Sequence, residues 1–181
     1  MTSPKLFTVG HSNRTAPDLV RLLLAHGIRT VCDVRAFPKS SRWPHFDREA
    51  LEPVLQDAGI EYVWLGEPLG GYRKGKRTDS VHTALDSFRS YADHMESDEF
   101  RAGIARLLAL ACETPTAYLC AEKDWRRCHR RLISDHLVEL EGAAVVHLLA
   151  ADACEAHALD PRARVVAGRL VYDRGAQAEL F

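Results

Sequence analysis

The stretch from Thr116 to Leu140, TAYLCAEKDWRRCHRRLISDHLVEL, limits the fold more than any other part of the chain. Ala117 to Cys120 is a short apolar run suited to a buried strand, and from Arg127 onward Leu132, Ile133, His136, Leu137 and Leu140 recur at helical spacing. A strand therefore feeds a helix through a loop. That loop holds Cys120, Glu122, Arg126, Arg127, Cys128, His129, Arg130 and Arg131. In an open α/β sheet, ligands bind beyond the carboxyl ends of the strands, where a helix start also offers unpaired N–H groups. The chemistry is expected there.

The rest of the chain repeats this alternation. Lys5 to Val9 reads as a strand that runs into the turn-forming Gly10-His11-Ser12-Asn13, and Thr15 with Asp18 resembles a capping box before a helix ending near Gly27. Thr30 to Val34 is a second strand delivering Asp33 and Arg35 to the same edge. Asp47 is placed to cap a helix carrying Leu51, Val54, Leu55 and Ala58, and Glu61 to Leu65 is a third strand. Two helices are expected next, one through Leu85, Phe88, Ala92 and Met95 and one capped near Ser97. Ala144 to Leu149 is a further strand, and a small hairpin is expected around Gly168. The pattern predicts an α/β fold, a mainly parallel sheet with helices on both faces, in a single domain. It assigns residues 1–160 to that domain, with the site at the strand rim, and residues 161–181 to a C-terminal hairpin and tail.

Length and charge bound the function. A chain of 181 residues with 46% hydrophobic residues can bury a substantial core. No apolar run approaches the roughly 20 residues needed to span a bilayer, and no secretory signal is visible, so a cytoplasmic protein without membrane association is expected. The net charge of −1 predicts no global attraction to nucleic acid. Anion binding then depends on local clusters. The glycine-rich loop from Gly66 to Ser80 supplies Arg73, Lys74, Lys76 and Arg77, and Trp43, Phe46, Tyr72 and Trp125 lie among the basic segments. Cations for phosphates interleaved with rings that stack on bases suit a nucleotide or nucleic acid.

If the sheet is parallel, His11 and Ser12, Asp33 and Arg35, Glu67, then Cys120 and Glu122, with Cys128 and His129 at the next helix start, converge on one rim. Asp33 and Glu122 are candidate acid/base groups, Cys120 or Cys128 a candidate nucleophile with His129 beside it, and His11, Ser12, Arg35 and Arg130 orient or bind an anion. Cys120 to Arg126 has the Cys-x5-Arg spacing of phosphate-cradling loops, but Glu122 and Asp124 would set negative charge against the anion. Cys120, Cys128 and His129, with His11 or Glu122, are alternative ligands for zinc or iron, although an eight-residue cysteine step and an adjacent Cys-His pair are awkward for ligation. No resident cofactor is predicted. Cys32, Cys112 and Cys154 read as buried small hydrophobes.

The C-terminal Gln177-Ala178-Glu179-Leu180-Phe181 resembles the Gln-x-x-Leu-Phe peptide by which bacterial repair proteins dock on the DNA sliding clamp. Gln177, Leu180 and Phe181 are the anchors this resemblance implies. The whole chain resembles the domain-of-unknown-function family 488, through TVGHSNR at Thr8 to Arg14, DVRAFPKS at Asp33 to Ser40, PHF at Pro44 to Phe46, YVWLGEPLGG at Tyr62 to Gly71, YADHM at Tyr91 to Met95 and CAEKDWRRCHRRLI at Cys120 to Ile133. That resemblance implies an α/β fold and attaches no activity. The leading expectation is a DNA-associated enzyme acting on a damaged or modified base or nucleotide, of hydrolase or glycosylase type, recruited by the sliding clamp. The alternatives are a sulfurtransferase-like enzyme using Cys120 on a small molecule, and a metal-binding module.

Overall fold

The computed structural model describes residues 3–75 and 77–174. Five parallel strands, β1 (Lys5–Gly10), β2 (Thr30–Asp33), β3 (Glu61–Trp64), β4 (Thr116–Cys120) and β5 (Ala144–Ala150), form a sheet completed by an antiparallel edge, β6 (Ala153–Ala156). The order is β3-β2-β4-β1-β5-β6. Two helices cover one face: α1 (Ala16–Ala25) and α2 (Arg48–Asp57), whose Leu19, Leu23, Leu51 and Leu55 pack with Val9, Val31 and Leu119. The other face carries α3 (Gly66–Leu69), α4 (Arg89–His94), α5 (Asp98–Glu113) and α6 (Arg130–Glu139), with Phe100, Leu107, Leu132 and Ile133 over Leu6 and Tyr118.

Local chemistry fixes several boundaries. Thr15 accepts the Asp18 amide and Ser97 the Phe100 amide, so α1 and α5 start as the capping residues dictate. Asp47 instead accepts the Ser40 amide, tying down the loop before α2 rather than capping the helix.

The expected helix through Leu85 forms only from Arg89. The backbone before it is captured by the C-terminal hairpin: Ala84 donates to the Tyr172 carbonyl, and the Tyr172 amide donates to His82. That hairpin, β7 (Ala163–Val166) and β8 (Arg169–Tyr172), forms as the sequence predicts. It packs into the main core through Ala163, Leu170 and Tyr172. Among the described residues, no helix is long and apolar enough to cross a membrane.

The connections leaving β1 and β4, which are neighbours, go to opposite faces of the sheet. A crevice beyond their carboxyl ends follows from this topology.

Candidate functional site at the strand-end rim

The crevice is an open cleft of about 720 Å³ lined by His11, Ser12 and Asn13 after β1, Ser40, Arg42 and Trp43 after β2, and Ala121, Glu122 and Lys123 after β4. The β1 and β4 loops are laced together: the His11 amide donates to the Cys120 carbonyl and the Ser12 amide to that of Ala121. Ser12 adopts φ 52°, an uncommon left-handed conformation for a residue with a side chain, at the cleft wall. Glu122 and Lys123 are exposed, and the Arg42 guanidinium lies over the Trp43 ring at 5.6 Å.

Behind the cleft wall runs a buried polar chain. Asp33 accepts from the Arg35 amide, from Arg35 Nε at 2.9 Å, from Nη2 at 2.5 Å and from the Tyr62 hydroxyl at 2.7 Å. Its carboxylate is fully enclosed. Arg35 Nη1 reaches His11 Nε2 at 3.3 Å, while His11 Nδ1 lies 3.0 Å from the Ser12 carbonyl. A carbonyl only accepts, so Nδ1 bears the proton and Nε2 takes the guanidinium hydrogen. The His11 ring stacks on Phe46 at 4.1 Å, and burial lowers its pKa to about 4. His11 is a neutral wall of the cleft.

On the other face of the rim, Cys120, Cys128 and His129 meet, their ligand atoms all within 4.8 Å of one another. His129 Nδ1 lies 3.6 Å from Cys128 Sγ and 4.0 Å from Cys120 Sγ. Its Nε2 donates to the Val34 carbonyl at 3.1 Å. The adjacent Cys128 and His129 turn to the same point because Cys128 is extended (φ −127°, ψ 152°) and His129 is helical (φ −60°, ψ −17°). The hydrogen bond between the two thiols holds Cys128 well below the usual thiol range and pushes Cys120 well above it, and burial adds to the rise at Cys120. Both thiols are covered, and neither lines the cleft.

Arg130 is buried, donating to Thr8 Oγ1 at 2.7 Å and to the Glu122 carbonyl at 2.5 Å. Among the described residues no carboxylate pairs with it and its Nε has no partner. It therefore braces the loop that carries Glu122, and only glycine fits at Gly10, where a Cβ would collide with that same Glu122 carbonyl.

The sequence-derived residues thus divide. His11, Ser12 and Glu122 line the cleft; Asp33 and Arg35 form the ion pair behind it; Cys120, Cys128 and His129 form the covered cluster. None of the described residues of the long loop lines this cleft. Arg73 donates to the carbonyls of Gly70 and Glu67, and Arg77 pairs with Asp79 and Glu96. Lys74 is exposed, while Lys76 and the tail residues Gln177, Leu180 and Phe181 lie outside the described residues. Arg126 pairs with Glu155 and Asp124, not with an anion cradle. Cys32 is buried as expected, with its thiol pushed up to about 12 by desolvation, but Cys112 and Cys154 are exposed. Arg42, Trp43 and Lys123, which the sequence offers as part of a basic and aromatic rim surface rather than as site residues, line the cleft itself, and Asn13 and Ser40 join them.

The model of the family described as domain of unknown function DUF488 matches residues 15–137. The chain belongs to this family. No curated protein and no solved structure matches it. The matched span holds the Asp33–Arg35 pair, the cleft residues after β2 and β4 and the whole cysteine–histidine cluster, while His11 and Ser12 precede it.

Proposed function

We propose that this DUF488 protein is an enzyme that takes a nucleotide or a single-stranded segment of DNA into the strand-end cleft and hydrolyses a bond at a damaged or modified base. The observation that carries this reading is that one open cleft is lined by an exposed carboxylate, Glu122, two cations, Arg42 and Lys123, and the Trp43 ring. Arg42 and Lys123 take phosphate oxygens, Trp43 stacks on a base, and Glu122 accepts the proton of the attacking water. Arg130 and Gly10 hold the Glu122 backbone in place from below. Asp33, enclosed by Arg35 and Tyr62, serves as a support rather than an acid or base.

Titration of labelled single-stranded DNA at rising salt tests the binding half. Replacing Arg42 and Lys123 with alanine is expected to flatten the dependence of log Kd on log salt by about 1.4, the share of two phosphate contacts on a single strand. Trp43→Ala is expected to weaken binding by about 1–3 kcal/mol. Glu122→Gln tests the chemical half, retaining binding while abolishing turnover of modified-base substrates. Salt-independent binding, or binding that ignores the double substitution, sinks the proposal.

Recruitment to the sliding clamp belongs to the same reading and rests on the QAELF tail alone. Clamp binding lost in Leu180→Ala/Phe181→Ala supports it, and no binding by the unaltered chain removes it.

A further inference from the structure

We propose that Cys120, Cys128 and His129 form a binding site for one zinc ion, held by both Sγ atoms and by Nδ1, with the fourth position left to a water molecule. This centre is separate from the cleft and independent of the function proposed for it.

Three geometric facts carry the assignment. A tetrahedral centre with Zn–S of ~2.3 Å and Zn–N of ~2.0–2.1 Å separates sulfur from nitrogen by roughly 3.6 Å. The two separations here are 3.6 and 4.0 Å. Next, the donation of His129 Nε2 to the Val34 carbonyl fixes the tautomer and leaves the Nδ1 lone pair facing the sulfurs. Metal-bound histidines are oriented by this kind of outer contact. Finally, the two sulfurs and Nδ1 all lie within 4.8 Å of one another, close enough for one ion to use the three donors at once.

The ligand chemistry narrows the ion. Two thiolates and an imidazole are poor partners for magnesium or calcium and suit a tetrahedral, redox-inert ion. Zinc with two thiolates is electrically neutral, so the loaded site sets no net charge beside the buried Arg130 guanidinium. Among the described residues no further cysteine, histidine or carboxylate joins the group, which is why the fourth position falls to water. The ion would tie the end of β4 to the start of α6, gripping residues 121–127 at both ends and with them Glu122 and Lys123.

The test is metal analysis of the full, untagged chain, joined with cobalt substitution. About one zinc per chain, and cobalt loading that produces a thiolate-to-metal absorption band with the intensity of a tetrahedral site, is the expected result. The band should be lost in Cys120→Ser and Cys128→Ser and shifted in His129→Gln. Because such variants can fail to fold, the unaltered chain supplies a second readout: zinc should protect Cys120 and Cys128, but not the exposed Cys112 and Cys154, from alkylation in the native state. Iron in place of zinc, no stoichiometric metal after zinc loading, or equal alkylation with and without zinc overturns the assignment.

Discussion

Arg35 Nη2 sits 2.5 Å from Asp33 Oδ2 in a pair that is almost wholly shielded from solvent, and Tyr62 closes the remaining side of the carboxylate. Two residues apart at the end of β2, they form a fork that turns the chain into the cleft loop and passes a hydrogen bond on to His11. Removing one partner strands the other charge in the interior. Asp33→Asn is therefore expected to destabilise the fold by about 3–5 kcal/mol, while Asp33→Leu with Arg35→Met lies closer to the unaltered protein than either single change. Urea unfolding of the unaltered chain, Asp33→Asn, Asp33→Leu, Arg35→Met and the double variant checks this. An Asp33→Asn protein of undiminished stability that has lost only turnover would return Asp33 to the reaction itself.

Gly71 packs on the ring of His129. A Cβ built there lies 2.5 Å from Nδ1 and 2.8 Å from Cγ, so alanine forces the imidazole to turn away from the Val34 carbonyl. Gly71→Ala is expected to cost about 1–3 kcal/mol by overpacking, and to weaken cobalt binding at the cysteine–histidine cluster. Retention of the cobalt band at full intensity with unchanged stability would show that the ring is free to move without consequence.

At Gly10 the obstacle is backbone rather than a side chain, since the Glu122 carbonyl occupies the space a Cβ would need. Gly10→Ala is expected to displace the whole β4 loop, lowering stability and binding in the cleft together. Single-stranded DNA titration alongside thermal unfolding separates this from a change confined to Glu122, which should leave stability within about 0.5 kcal/mol.

The parallel strands were legible as short apolar runs, and α1 and α5 by the side-chain caps at Thr15 and Ser97. Local signals failed where distant backbone intervened. The helix expected through Leu85 yields to Tyr172, whose backbone takes the hydrogen bonds of the 82–84 segment. The edge strand Ala153–Ala156 has too little apolar character to declare itself and exists by pairing with β5. At the site, residue type pointed to Cys120, Cys128 and His129, but their spacing argued against a common ligand. Only the switch from extended to helical backbone between Cys128 and His129 reconciles the two. The reverse holds for Asp33, which the sequence offers as an acid or base and the structure encloses between Arg35 and Tyr62. Arg73 and Arg77 engage carbonyls and carboxylates of their own surroundings, which no local sequence signal announces.

A buried chain of imidazoles beneath α6 sets the last expectation. His147 Nε2 lies 3.0 Å from His157 Nδ1, His157 Nε2 lies 2.7 Å from Asp135, and Tyr172 donates to the same carboxylate. His157 Nε2 donates to Asp135, and one proton lies between His157 Nδ1 and His147 Nε2. Trp125, itself bonded to Glu155, stacks flat on His147 at 3.9 Å. Burial first, then His157, Arg130 and Arg126, lowers the His147 pKa from 6.5 to about 2. The unfolded chain therefore binds a proton that the folded chain refuses. Stability from this histidine is complete above pH 6.5 and falls as pH drops toward 2, by about 1.4 kcal/mol per unit once well below 6.5. Between pH 7 and pH 5 the loss is about 2 kcal/mol on that linkage. His147→Gln removes the titrating group, so its urea-unfolding free energy should be lower at pH 7 yet decline less steeply toward pH 5. Parallel slopes for the two proteins over that range would mean that His147 takes up its proton in the folded state, and that the chain to Asp135 opens without unfolding the domain.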